Sequence, residues 1–466
     1  MSVPSVSDPP APPPMAAGLR FKLSVMMFLE FFIWGAWFEL GFDYIPRLGF
    51  DADWQLPLIF GAFNVGALVA LFFSTQFADR KFAAEKFLAF SHLVGGLSML
   101  GLFGVCPAAE GSAPFWPFFL LMLLHSLFYV PTISITNSVA FASLSDPARQ
   151  FGPIRVWGTI GWIAASWPFI FILVDWARVP DFGSLSFGDW LGTVFATSKT
   201  GAEASAAKRY IFLVSGVASL VLAGYSLTLP HTPPKPAASA GDSLAWLKAM
   251  KLLRHPFVFV LFLVTFVDAA VHQSFFFWTF TFLGPRDAGG VVDIPANWVG
   301  PVMKIGQIAE IVTMLFLGYV LKNLGWRLTM VIGVLGHAAR FAVFAYYPEQ
   351  TPAILVNVVH GICYAFFFAT VYIFVDEYFP KDVRSSAQGL FNVLILGVGP
   401  FVANFLCGRL KSANTIDGKV DYHTVFSYSM WAAIFGALLL FVFFHPARKA
   451  DPPPHQSAEE DAPPAP

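Results

Sequence analysis

About a dozen apolar stretches long enough to cross a bilayer divide this chain, and very few ionisable side chains lie deep inside them. Runs at 55–77, 87–105, 210–229, 325–346 and 426–444 each approach the ~20 residues that a helix needs to span hydrocarbon. Hydrocarbon gives backbone N–H and C=O groups no partner outside their own segment, so runs of this length cross as helices. Hydrophobic residues make up 56% and charged residues 12% of the sequence, which excludes an ordinary water-soluble enzyme. The expected fold is all-α and integral to the membrane. Its twelve spans fall at approximately 22–44, 55–77, 87–106, 115–143, 153–176, 210–229, 256–284, 296–321, 325–347, 352–378, 386–410 and 424–445.

Six spans lie on each side of segment 230–254, which opens PHTPPKPAASAGDS and suits an irregular linker. Its continuation, LAWLKAMKLLRH, is amphipathic and basic and suits the membrane surface. The expected domains are therefore bundles at 21–229 and 255–446, joined by the linker. Residues 1–20 and 447–466 read as disordered cytoplasmic tails, the first rich in Pro, Ser and Ala without the apolar core of a signal peptide. Alternate loops and tails on the side of the termini carry seventeen of the 28 Lys and Arg, the other side nine. Lys304 and Arg340 lie inside spans. Basic residues accumulate on the cytoplasmic side, so both termini are expected there. Insertion 177–209, between spans 5 and 6, shows no recognisable chemistry. Cys106, Cys363 and Cys407 form neither CxxC spacing nor a disulfide framework.

A charge at the bilayer centre costs at least ~2.5–3.5 kcal/mol on insertion scales, so it needs a partner or a task. Glu30, Asp268, Lys304, Glu310 and Arg340 are such charges. Glu30 sits among Phe28, Phe31, Phe32, Trp34 and Trp37, and two readings stand for it: a hydrogen bond to a neighbouring helix, or proton coupling. Asp268 and His272 share a helix face. An Asp268–Lys304 ion pair would cancel both charges; if it broke and re-formed during transport, Asp268 would carry a proton. Arg340 reads as a carboxylate partner that holds helices together. His92, His125 and His337 lack metal-ligand spacing and read as packing or helix-contact residues.

The loop Gly318-Tyr-Val-Leu-Lys322-Asn-Leu-Gly325-Trp-Arg327 and its counterpart Thr75-Gln-Phe-Ala-Asp79-Arg80-Lys81 resemble the G-x-x-x-D-R-x-G-x-R loop of the major facilitator superfamily. The Thr75–Lys81 copy lacks both glycines, and the Gly318–Arg327 copy lacks the Asp-Arg pair. Span 5 reads Phe151-Gly-Pro-Ile-Arg155-Val-Trp157-Gly158-Thr159-Ile-Gly161-Trp162 and closely resembles the PPIRxWGTIGF signature of the nucleoside:proton symporter family within that superfamily. Collinear resemblances follow at Tyr129-Val-Pro131-Thr132 with Asn137, Thr228-Leu-Pro-His231-Thr-Pro233, Gln307-Ile-Ala-Glu310, Arg340-Phe-Ala-Val-Phe-Ala-Tyr346 and Arg384-Ser-Ser-Ala-Gln388-Gly389-Leu-Phe391.

The resemblance implies a twelve-helix major facilitator fold in two pseudo-symmetric bundles, and proton-driven uptake of nucleosides by a monomer in the cytoplasmic (inner) membrane. Carried over by position, it implies a substrate site of Arg155, Thr159, Trp162, Gln273, Gln307, Glu310, His360 and Tyr364. These types suit the ligand: ribose hydroxyls pair with amides and carboxylates, and a base offers a flat face for stacking. Gln307 and Glu310, three apart, share a helix face. Two departures stand out. Ala365 occupies the place of the family's span 10 Asp, which is tied to proton coupling, and Phe276 replaces a span 7 Asn. Lys304 also stands where the family has a small polar residue. Glu310 is therefore the first proton-coupling candidate, followed by Asp268 and Glu30, with Lys304 and Arg340 as structural charges.

No HExxH, G-x-S-x-G or phosphate-binding G-x-x-x-x-G-K-[ST] motif points to an enzyme, a metal or a cofactor, and a net charge of −1 does not suggest nucleic acid. Scattered single charges in two halves fit an alternating site better than a channel's charged rings. Two alternatives remain open at this stage: a carrier of the same fold for a sugar or aromatic compound, and an uncoupled nucleoside facilitator.

Overall fold

The computed structural model describes residues 15–73, 82–109, 111–234, 250–379 and 384–446. The Thr75–Lys81 loop motif, most of the linker, residues 1–14 and residues 447–466 lie outside them, whereas residues 17–20, expected in the disordered tail, are helical and begin the first pass. The described residues make twelve helical passes. In the N-terminal half the passes are α1 (Ala17–Tyr44), α2 (Gln55–Phe73), α3 (Ala84–Val105), α4 (Phe115–Ala142), α5 (Pro147–Ala164, continued by Trp167–Ile172) and α6 (Tyr210–Ser226). In the C-terminal half α7 is Pro256–Leu283, and α8 begins as Ala296–Met303 and bends at Lys304 into the run Ile305–Tyr346. Within that run only Gly325 leaves helical geometry, with φ 70° and ψ 177°, and it divides α8 (to 324) from α9 (326–346). Glycine alone takes this backbone without strain, so one residue does the work expected of a loop. The last three passes are α10 (Gln350–Tyr378), α11 (Ala387–Ala413) and α12 (Tyr422–Phe443).

Local sequence explains the ends. Asp146 caps α5 by accepting from the Arg149 N–H at 3.3 Å, with Pro147 at the first helical position. Asp421 caps α12 through the Thr424 N–H at 3.2 Å. Outward faces stay apolar, as lipid requires: Leu97, Leu315 and Phe435 are all exposed. Inside the halves, small residues let helices close up. A Cβ at Gly161 of α5 would stand 2.1 Å from the Phe28 carbonyl of α1, and one at Gly361 of α10 would stand 2.5 Å from the Ala309 carbonyl carbon of α8. These two contacts press α5 and α10 against the helices beside them and fix the level of their polar residues.

An even number of passes puts both ends of the helical domain on one side; the other side is called distal here. Among the described residues, hydrogen bonds between the halves run from the distal loops to mid-depth. Arg47 donates to the Ala288 carbonyl (2.8 Å), Thr281 to Asp43 (2.9 Å) and Asn64 to the Leu396 carbonyl (2.9 Å). Insertion 177–209 is less featureless than its sequence suggests. It folds into two short helices, Phe187–Ala196 and Gly201–Ala207, and its Phe195 carbonyl accepts from Asn297 (3.3 Å) and Trp298 (2.8 Å) at the start of α8. Lys208, at its end, pairs with buried Asp43.

Candidate functional site

Between the halves lies a cavity of about 270 Å³. All eight residues expected at the substrate site line it: Arg155, Thr159 and Trp162 from α5, Gln273 from α7, Gln307 and Glu310 from α8, His360 and Tyr364 from α10. α8 delivers its pair by helical spacing. In α10 the chain widens into a π-helical turn at Tyr364–Ala369, a feature that often marks functional positions. Tyr364 opens that turn and faces the cavity, whereas Ala365 is fully buried.

Sequence reasoning missed most of the aromatic wall. Trp34 stacks on Phe63 with ring centroids 4.8 Å apart and meets Trp162 edge-on at 5.1 Å; Phe38 meets Phe276 of the other half at 5.3 Å. All five rings line the cavity, as do His272 and Tyr372. The signal was the Trp and Phe cluster after Glu30, read only as the surroundings of that carboxyl. A chain of amides was also missed: Gln273 donates to Asn404 (2.9 Å), and Asn404 donates to Asn64 (3.3 Å) across the halves. Arg155, 4.1 Å above the Phe31 ring, attracts Glu310 of the opposite half. The site thus offers flat apolar faces, amide donors and acceptors, and one carboxylate opposed to one guanidinium.

The other intramembrane charges do not line the cavity, and two expectations about them are overturned. Lys304 does not pair with Asp268. Its Nζ lies 2.8 Å from Glu39 of α1, and it sits 4.5 Å above the Trp162 ring. The bend at Lys304 turns the ammonium toward the other half, where Glu39, unremarked in the sequence, is equally buried. Among the described residues Arg340 pairs with no carboxylate: it donates to Nδ1 of His360 at 2.6 Å and Nδ1 of His337 at 3.0 Å, above the Phe275 ring at 3.7 Å. Asp268 is fully buried with neither oxygen hydrogen-bonded, His337 Nε2 being 3.6 Å away. Glu30 is held by His92 (2.9 Å) and Thr132 (2.7 Å), the neighbouring-helix bond that was one of its two readings.

Twelve helices in two bundles around a polar and aromatic cavity define a membrane transporter of the major facilitator fold. A family model for the nucleoside H+ symporters matches residues 17–197 and 181–449. The putative nucleoside transporter YegT of Escherichia coli (strain K12) is 30% identical over 431 residues, covering 90% of this chain and 91% of that protein. Xanthosine permease of the same organism is 29% identical over 443 residues, 91% of this chain and 96% of that one. Among solved structures, the nucleoside transporter NupG matches with TM-score 0.73 and 23% identity, covering 92% of this chain and 100% of that chain. A bacterial homologue of the human lysosomal transporter Spinster, inward-facing and unoccupied, matches with TM-score 0.66 and 15% identity over 92% of this chain and 97% of its own. The chain belongs to the nucleoside H+ symporter family, and its function class is nucleoside uptake by proton symport.

Proposed function

We propose that this protein takes up nucleosides across the cytoplasmic membrane by alternating access, with the cavity between its halves as the substrate site. The observation that carries this reading is the convergence of eight polar and aromatic residues from four helices and both halves on one space. At about 270 Å³ it is near the lower end of the ~300–1,000 Å³ typical of small-molecule sites. The base stacks within the aromatic wall, each such contact being worth ~1–3 kcal/mol and tolerant of base identity. Gln307 and Glu310 hold ribose hydroxyls, and Arg155, Thr159 and Tyr364 complete the polar rim. Both termini are cytoplasmic, so this conformer is closed on the extracytoplasmic side. Since one chain completes the cavity, the monomer is the transporting unit. Labelling of single cysteines placed at Ser5 and Ser457 from outside intact cells would refute the orientation.

Glu310 is the coupled carboxylate. It lines the cavity beside the substrate and faces Arg155 of the other half, so proton and nucleoside bear on one group. Glu310→Gln in proteoliposomes should abolish uphill, pH-driven uptake of uridine and adenosine while leaving counterflow, which needs no gradient. Full pH-driven accumulation in that variant would remove the assignment. Binding of hexoses but not nucleosides by the unmodified protein would overturn the substrate.

A further inference from the structure

Arg340 is fully buried one layer behind the cavity, and its contacts dictate where protons sit on its neighbours. A guanidinium donates hydrogen bonds and accepts none. Each nitrogen it touches must therefore offer a lone pair: Nδ1 of His360 at 2.6 Å and Nδ1 of His337 at 3.0 Å. Both rings then carry their proton on Nε2. For His337 that N–H points at Asp268, 3.6 Å away. For His360 it points at the side-chain amide of Gln307, which lines the cavity.

The amide as placed puts its nitrogen 3.5 Å from His360 Nε2, with its oxygen buried and unpartnered. Two N–H groups cannot bond to each other. Turning the amide half a revolution exchanges its oxygen and nitrogen, which diffract and pack almost alike. The turn gives the His360 N–H an acceptor and ends the isolation of the Gln307 oxygen. The NH2 group then takes the buried position that the oxygen now holds.

We propose that Arg340 is a positioning residue for nucleoside recognition: by fixing the tautomer of His360 it fixes the orientation of the Gln307 amide at the cavity wall. Glu310, one turn along the same helix face, supplies an acceptor for a ligand hydroxyl or N–H. The proposal rests on the cavity being the nucleoside site.

A double-mutant cycle in the purified full-length protein tests it, read as equilibrium binding of uridine and adenosine. Gln307→Met and Arg340→Met should each weaken binding about 10-fold, and the double variant should be no weaker than the worse single one, because the arginine acts only through the amide. Additive losses would make Arg340 merely structural and overturn the inference. An unchanged affinity in Gln307→Met would instead remove Gln307 from the site, a failure of the substrate reading. If Arg340→Met does not fold, two-bond ¹H–¹⁵N spectra of histidine-labelled, unmodified protein decide the matter, with His360→Phe used for assignment. A proton on Nε2 of His360 supports the proposal; a proton on Nδ1 overturns it.

Discussion

Each half carries a buried carboxylate on its first helix and a histidine on its third. In the N-terminal half these are Glu30 on α1 and His92 on α3; in the C-terminal half they are Asp268 on α7 and His337 on α9. The surroundings differ. Glu30 has both oxygens bonded, to His92 at 2.9 Å and Thr132 at 2.7 Å, and the other nitrogen of His92 meets Ser219 at 3.2 Å. Asp268 has no hydrogen bond, and the other nitrogen of His337 accepts from Arg340. The N-terminal copy is a closed brace in which both carboxyl oxygens have partners. The C-terminal copy is an open chain from Asp268 through His337 and Arg340 to His360, and it ends at the cavity. The same pair of residue types thus serves as a strut in one half and as support for the cavity wall in the other, according to what lies beyond the histidine.

That contrast rests on the idea that hydrogen-bond satisfaction, more than charge itself, sets what a buried group contributes. The severest check is the ion pair between the halves. Lys304→Met leaves Glu39 buried without its cation and should destabilise the protein by ~3–5 kcal/mol, measured by thermal unfolding in detergent. Adding Glu39→Gln should restore most of the loss, and no recovery would mean that Lys304 acts through packing on Trp162.

A smaller effect separates the two copies directly. His92→Phe strips one bond from Glu30 and leaves an oxygen unpaired, at a cost of ~1–3 kcal/mol. Asp268→Asn removes no hydrogen bond and should cost less than ~1 kcal/mol in the same assay. Equal losses in the two variants would erase the distinction between strut and support. The smallest change is expected in transport: Thr132→Val, which touches only the brace, should leave the apparent nucleoside affinity within about 2-fold of normal, since an intact His92 bond still holds Glu30. A large shift would place the N-terminal copy in the coupling path as well.

Much of the site could be read from the chain because its residues repeat a family pattern at fixed positions, and helical spacing then turns Gln307 and Glu310 to one face. The aromatic wall was harder to see. With 53 phenylalanines in the sequence, nothing local separates Phe63 or Phe276, which face the cavity, from Phe435, which faces lipid. The wrong partner for Lys304 has a related cause. Asp268 and Lys304 are near in sequence order of helices, but the bend at Lys304 sends the ammonium across the interface to a residue in the opposite half.

The sequence alone determined the apolar crossings and the family, and it named eight residues that the structure brings to one cavity. Each depends on the length of an apolar run or on residue type at a position, and both are local properties. The tertiary structure decided which buried charge meets which partner: Glu39 for Lys304, two imidazoles for Arg340, His92 and Thr132 for Glu30. Such bonds require approach within about 3 Å of groups carried on separate helices. Only the packed helices, set by close contacts such as Gly161 on Phe28 and Gly361 on Ala309, fix those distances.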